Sequence, residues 1–99
     1  MKVAAIQVEL GKGSYERTIR DVSELVQEAR RMGADIACLP EHWLLEYWKE
    51  KHDFTKDTAN MAKTNHLFLI TGGNYTYLPE NPSEIRIRSS LISPDGEGI

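Results

Sequence analysis

The sequence predicts an α/β domain. Three short apolar runs, at residues 3–8, 36–39 and 66–71, alternate with two segments of helical periodicity. Apolar runs of this length bounded by breakers read as strands buried on both faces, whereas apolar residues three and four apart make one face of a helix. The chain has 99 residues, enough for one small domain with a modest core. Its net charge of −3 is spread over mixed signs and offers no basic surface for nucleic acid. With 40% hydrophobic residues the composition is globular, and no apolar run approaches the roughly 20 residues of a membrane helix. The start, Met1-Lys2, leads directly into a strand-like run without the apolar region of a signal peptide. The single cysteine, Cys38, forms no internal disulfide, which fits a cytoplasmic protein.

The first strand is expected at residues 3–8, ended by Gly11-Lys12-Gly13. Ser14 is placed to cap the helix that follows, with Glu16 in its first turn. Tyr15, Ile19, Val22, Leu25, Val26, Ala29 and Met32 form its apolar stripe. Arg30 and Arg31 suit the negative end of the helix dipole, and Gly33 suits the C′ position. The second strand, ending at Leu39, completes a βαβ unit, so the first two strands should be parallel with a right-handed crossover. Pro40 cannot donate to a ladder and belongs at the strand end. Glu41 is thereby held at the carboxyl edge of the sheet, where open α/β sheets bind ligands. Two readings of Glu41 stand at this point, a positioned functional carboxylate and a solvated loop residue.

In residues 42–51, Trp43 and Tyr47 are four apart, as are Leu44 and Trp48, which fits two helical turns. Packing of this aromatic segment onto the sheet is favoured over a pocket wall built from Trp43, Tyr47 and Trp48. Asp53 and Thr55 are both candidate caps for a second helix through about Lys63, with Asn65 as its stop. A third strand is expected at residues 66–71, broken by Gly72-Gly73-Asn74, where glycine permits close backbone approach or positive φ. Residues 79–84 read as a polar turn and residues 85–93 as a fourth strand with one wet face. Ser93-Pro94-Asp95-Gly96 is a strong turn signal and implies a further strand after it.

Four pieces of this order resemble the opening of the carbon–nitrogen hydrolase (nitrilase) superfamily. They are Val3-Ala4-Ala5-Ile6-Gln7, the amphipathic helix ending in Ala29, the run from Gly33 through Asp35 to Leu39-Pro40-Glu41, and Leu91-Ile92-Ser93-Pro94-Asp95-Gly96. Phe68-Leu69-Ile70-Thr71-Gly72-Gly73 is similar to the family's third strand. The resemblance implies part of an αββα sandwich with element order β-α-β-α-β-β, assembled into homo-oligomers. It implies hydrolysis of nitriles, amides or carbamoyl compounds by a cysteine nucleophile, a glutamate base and a supporting lysine, without metal or other cofactor. Glu41 matches the family's general base. A thiol near pKa 8.5 is only a few per cent thiolate at neutral pH, so the nucleophile needs such a base. A freely solvated glutamate, near pKa 4.3, is too weak for this, and the complete site is expected to withdraw it from water.

The family's lysine and cysteine follow the Pro-Asp-Gly turn, so residues 1–99 correspond to roughly the first third of a member, cut before either. Lys2, Lys12, Lys49, Lys51, Lys56 and Lys63 do not occupy the matching place, and the asparagine common in the fourth strand is replaced near Ile87 or Arg88. Cys38 reads as a small packing residue, three positions before Glu41 in an extended run. His42, His52 and His66 lack ligand spacing. His42 lines the site or belongs to the loop. The resemblance thus leaves Glu41 as the one catalytic residue present and predicts that the 99 residues alone are inactive. The competing reading is a non-catalytic α/β interaction module whose sheet needs a partner. A nucleotide-binding domain is disfavoured, because neither Gly-x-Gly-x-x-Gly nor a Gly-x-x-x-x-Gly-Lys-Ser/Thr run occurs.

Overall fold

The computed structural model describes residues 1–8, 13–78 and 81–99. The element order is β1 (Val3–Ala5), α1 (Tyr15–Arg31), β2 (Ile36–Cys38), a 3-10 helix (Leu45–Glu50), α2 (Phe54–Asn65), β3 (Phe68–Ile70), β4 (Asn74–Leu78), β5 (Asn81–Arg88) and β6 (Leu91–Ile92). The α/β class is as expected, and the order gains two strands over β-α-β-α-β-β.

Ser14 starts α1 by accepting the Arg17 N–H on its side-chain oxygen at 3.1 Å. At the other end Gly33 adopts φ 91°, and Ala34 N–H reaches back to the Ala29 carbonyl at 3.0 Å. The chain then enters β2, which pairs parallel with β1, Val3 opposite Ile36 and Ala5 opposite Cys38. β3 continues the sheet parallel to β2, and β6 closes it antiparallel to β3, giving the order β1-β2-β3-β6. Asp53 caps α2 from its side chain, and His66, expected to open the third strand, instead ends α2 in the left-handed region at φ 53°. The reversal from α2 into β3 needs that backbone turn, which displaces the strand start to Phe68.

Alternation along the strands assigns the two faces. Ala37, Leu69 and Ile92 are buried under Val22, Val26, Met61 and Ala62 of the two helices. Val3, Ala5, Ile36, Cys38, Phe68, Ile70 and Leu91 share the opposite face, which these residues leave partly open, with Val3 58% and Leu91 37% exposed. The expectation of strands buried on both faces is therefore corrected: both helices cover the same side. In the α1 stripe, Leu25 and Met32 are likewise exposed, at its margins.

The hairpin β4–β5 takes up the expected break at Asn74 and the 81–84 part of the expected polar turn. Asn74 pairs with Arg88 and Tyr75 with Ile87, and the pairing shifts register between Tyr77 and Leu78. The expected single strand 85–93 is divided between β5 and β6. Ser93-Pro94-Asp95-Gly96 turns as expected, with Gly96 at φ 83°, and Gly98 bridges back to Ile92. Gly11, Lys12, Pro79 and Glu80 lie outside the described residues, so the turns expected there are only partly seen.

Candidate active site at the carboxyl edge of the sheet

Pairing between β2 and β3 runs one residue past Cys38, through Leu39 N–H to the Ile70 carbonyl at 2.9 Å. Pro40 follows where no further donor is needed. Glu41 comes next, exposed at the sheet edge. His42 then turns the chain with φ 56°.

Two hydrogen bonds hold this corner. Gly73 N–H donates to Glu41 Oε2 at 2.9 Å, across 32 positions of sequence. His42 N–H donates to the Gly73 carbonyl at 2.8 Å. The approach leaves no room for side chains. A Cβ on Gly72, which adopts φ 71°, would run into the Pro40 carbonyl oxygen. A Cβ on Gly73 would strike Glu41 Oε2 itself and lie 3.1 Å from Ile87 Cγ2. Of the two sequence readings of Gly72-Gly73, close approach applies to both, with positive φ added at Gly72 alone.

Thr71 braces the corner from below. Its carbonyl accepts the Trp43 Nε1–H at 2.9 Å and the Asn74 Nδ2–H at 3.4 Å. Its hydroxyl accepts Ser90 N–H at 2.9 Å. Asn74 Oδ1 in turn accepts the Leu44 N–H at 3.3 Å. Trp43, Thr71 and Asn74 are all buried. Trp43 is thus a core residue, as packing required. Tyr47 is buried in the same core, and it also lines a cleft of about 200 Å³ with Trp48, Tyr15, His52, Asn74 and Tyr75. The His42 ring lies 5.3 Å from Tyr75, with its Nδ1 buried and without a hydrogen-bond partner among the described residues. Cys38 is a free thiol on the open sheet face, beside Ala5 and Ile70. Among the described residues, no three His, Cys, Asp or Glu side chains group as a metal site. None of the described helices is long and apolar enough to cross a membrane.

The sequence predicted the place of Glu41 at the sheet edge but missed the residues around it. Gly73 acts through its backbone, Thr71 through its carbonyl and hydroxyl and Asn74 through its side-chain amide, and their only signal is the Gly-Gly pair directly after a strand.

The family model described as Carbon-nitrogen hydrolase matches residues 2–99. The chain belongs to that family. Among solved structures, an amidase from Nesterenkonia sp. superposes with TM-score 0.81 at 17% identity, covering 100% of this chain and 40% of the amidase. An engineered form of the amidase from Nesterenkonia sp. AN1 in complex with acrylamide gives TM-score 0.80 at 16% identity, again over 100% of this chain and 40% of that one. The C. elegans NitFhit protein gives 0.76 at 13% identity, over 97% of this chain and 25% of its own. No curated protein matches. This carbon–nitrogen hydrolase chain thus spans about 40% of the amidase it resembles in fold, and its α/β architecture is that of the family's αββα sandwich.

Proposed function

We propose that Glu41 is the general base of a hydrolase acting on non-peptide C–N bonds, and that residues 1–99 are the N-terminal portion of its domain. The observation that carries this reading is the held carboxylate at the carboxyl edge of β2, fixed behind Pro40 and hydrogen-bonded to Gly73 N–H. In the proposed reaction, Glu41 takes the proton of a cysteine thiol as its sulfur bonds to the nitrile or amide carbon. With an amide, the proton passes to the departing amine as the C–N bond breaks, leaving a thioester. Glu41 then deprotonates water, whose oxygen displaces the sulfur and releases the acid, and the proton returns from Glu41 to the departing thiolate. A lysine supports the negative charge that develops on the substrate. Neither the cysteine nor the lysine is assigned to a residue of this chain, so the 99 residues alone are expected to be inactive.

A relative supports the cysteine's part in this scheme. A form of the Nesterenkonia sp. AN1 amidase with leucine in place of a glutamate carries the acetamide moiety of fluoroacetamide covalently on the active-site cysteine. Two other forms are in complex with acrylamide and with butyramide. The reading carries with it a cytoplasmic homo-oligomer that needs no cofactor, a location to which the free thiol of Cys38 is suited.

The test is ammonia release from butyramide, butyronitrile and N-carbamoylglycine by the full-length natural polypeptide. Glu41→Gln should lower the best of these activities by about a thousandfold or more. A variant keeping a tenth of the parent activity would remove Glu41 from the mechanism. Turnover by the 99 residues alone that survives Cys38→Ala would also overturn the scheme. No turnover of any substrate by the full-length protein would favour the second reading, an interaction module, which the open apolar sheet face independently suits.

A further inference from the structure

We propose that Gly73 is a positioning residue, whose backbone N–H aims one oxygen of Glu41 and whose missing side chain provides the space that oxygen occupies. This rests on the reading of Glu41 as the base. Gly72 and Gly73 look equivalent in sequence and are not equivalent in structure. Gly72 sits at φ 71°, where glycine is favoured for backbone reasons alone. Gly73 lies outside the left-handed region, so no positive φ calls for glycine there. What excludes a side chain there is Glu41: the first atom that an added Cβ meets is Oε2, and the next residue is Ile87 at 3.1 Å. The same Gly73 amide donates to that oxygen at 2.9 Å, and its carbonyl accepts the N–H of the adjacent His42 at 2.8 Å. One residue therefore grips both the side chain of position 41 and the backbone of position 42.

The chemistry explains why such a grip matters. A base must stand within hydrogen-bond reach of the proton it takes, and a misplacement of about 1 Å can cost a hundredfold. A methyl group at position 73 must displace the carboxylate by a distance of that order, because the atom nearest its place is Glu41 Oε2, the movable end of that side chain.

Gly73→Ala in the full-length polypeptide is expected to lower kcat for the best substrate of butyramide, butyronitrile and N-carbamoylglycine by about 10- to 100-fold, with KM changed less than about threefold. The deciding measurement is the same substitution in a Glu41→Asp background. The shorter carboxylate leaves space for the methyl group, so there Gly73→Ala should cost less than about threefold. A general loss of structure would cost the same in both backgrounds, so the cycle decides even where Gly73→Ala lowers the melting temperature. Equal losses in the two backgrounds, or a Gly73→Ala kcat within about threefold of the parent, would overturn the proposal. Glu41→Gln separates the two levels. If it keeps activity, the assignment of the base fails. If it abolishes activity while Gly73→Ala is neutral, the positioning role alone fails.

Discussion

Thr71 has no catalytic atom, yet its carbonyl and hydroxyl tie together Trp43, Asn74 and Ser90, and through them the corner that carries Glu41. Trp43→Phe removes one buried donor and some volume while leaving the Asn74 contact. It should destabilise the protein by about 2 kcal/mol, measured as a shift in urea unfolding midpoint at unchanged slope. At this scale the sequence was informative where chain chemistry is local. An apolar run stopped by Pro40 is enough to place Glu41 at a sheet edge. It was silent where partners are distant. Nothing in the letters of Thr71 or Asn74 points to Trp43, about 30 residues away, and two adjacent glycines cannot be told apart until the atoms opposite them are known.

Helix α1 was the most legible element, because its cap, its stripe and its C-terminal glycine are all local signals. The hairpin β4–β5 was the least. It opens on Asn74, a turn former, and includes Pro82 within β5. A two-stranded ribbon has two edges, so a proline without N–H is tolerated where a central strand would reject it. The union of α1 with α2 was also hidden. Tyr15 Oη donates to Asp57 Oδ2 at 2.5 Å, and the Tyr15 ring stacks on His52 with centroids 3.7 Å apart. Burial, reinforced by the Asp57 carboxylate, holds the Tyr15 phenol well above its ordinary range. Such a group stabilises the fold fully below the unfolded tyrosine value, near pH 10, and loses that contribution as pH rises further. The loss of stability between about pH 8 and about pH 11 should accordingly be smaller in Tyr15→Phe than in the parent, read by urea unfolding at the two pH values. An identical loss in both proteins would contradict the account.

For the whole molecule the decisive feature is the asymmetry of the sheet β1-β2-β3-β6. Its strands are apolar on both faces, as the sequence indicated, while α1 and α2 cover one. The letters specify a sheet that is to be covered twice, and they do not say which cover these residues supply. The open face, Val3, Ala5, Ile36, Cys38, Phe68, Ile70 and Leu91, is a contiguous apolar surface with neighbouring strands in register. The 99-residue polypeptide prepared alone should therefore associate in a concentration-dependent way, and Ile70→Glu with Leu91→Glu should weaken that association. Sedimentation as a monomer over the full concentration range, for the parent sequence, would show that the face tolerates water.

Trp43 and Trp48 stand in different surroundings, the first buried with its indole N–H on Thr71 and the second half-exposed near Tyr75 and the Lys49 ammonium. The chain thereby contains an optical probe next to its proposed base. Emission from Trp43 belongs at the blue end of the tryptophan range and would move to the red were its indole to leave Thr71 for water. Seating and release of the Glu41 corner can be followed by light, without a label and without a substrate.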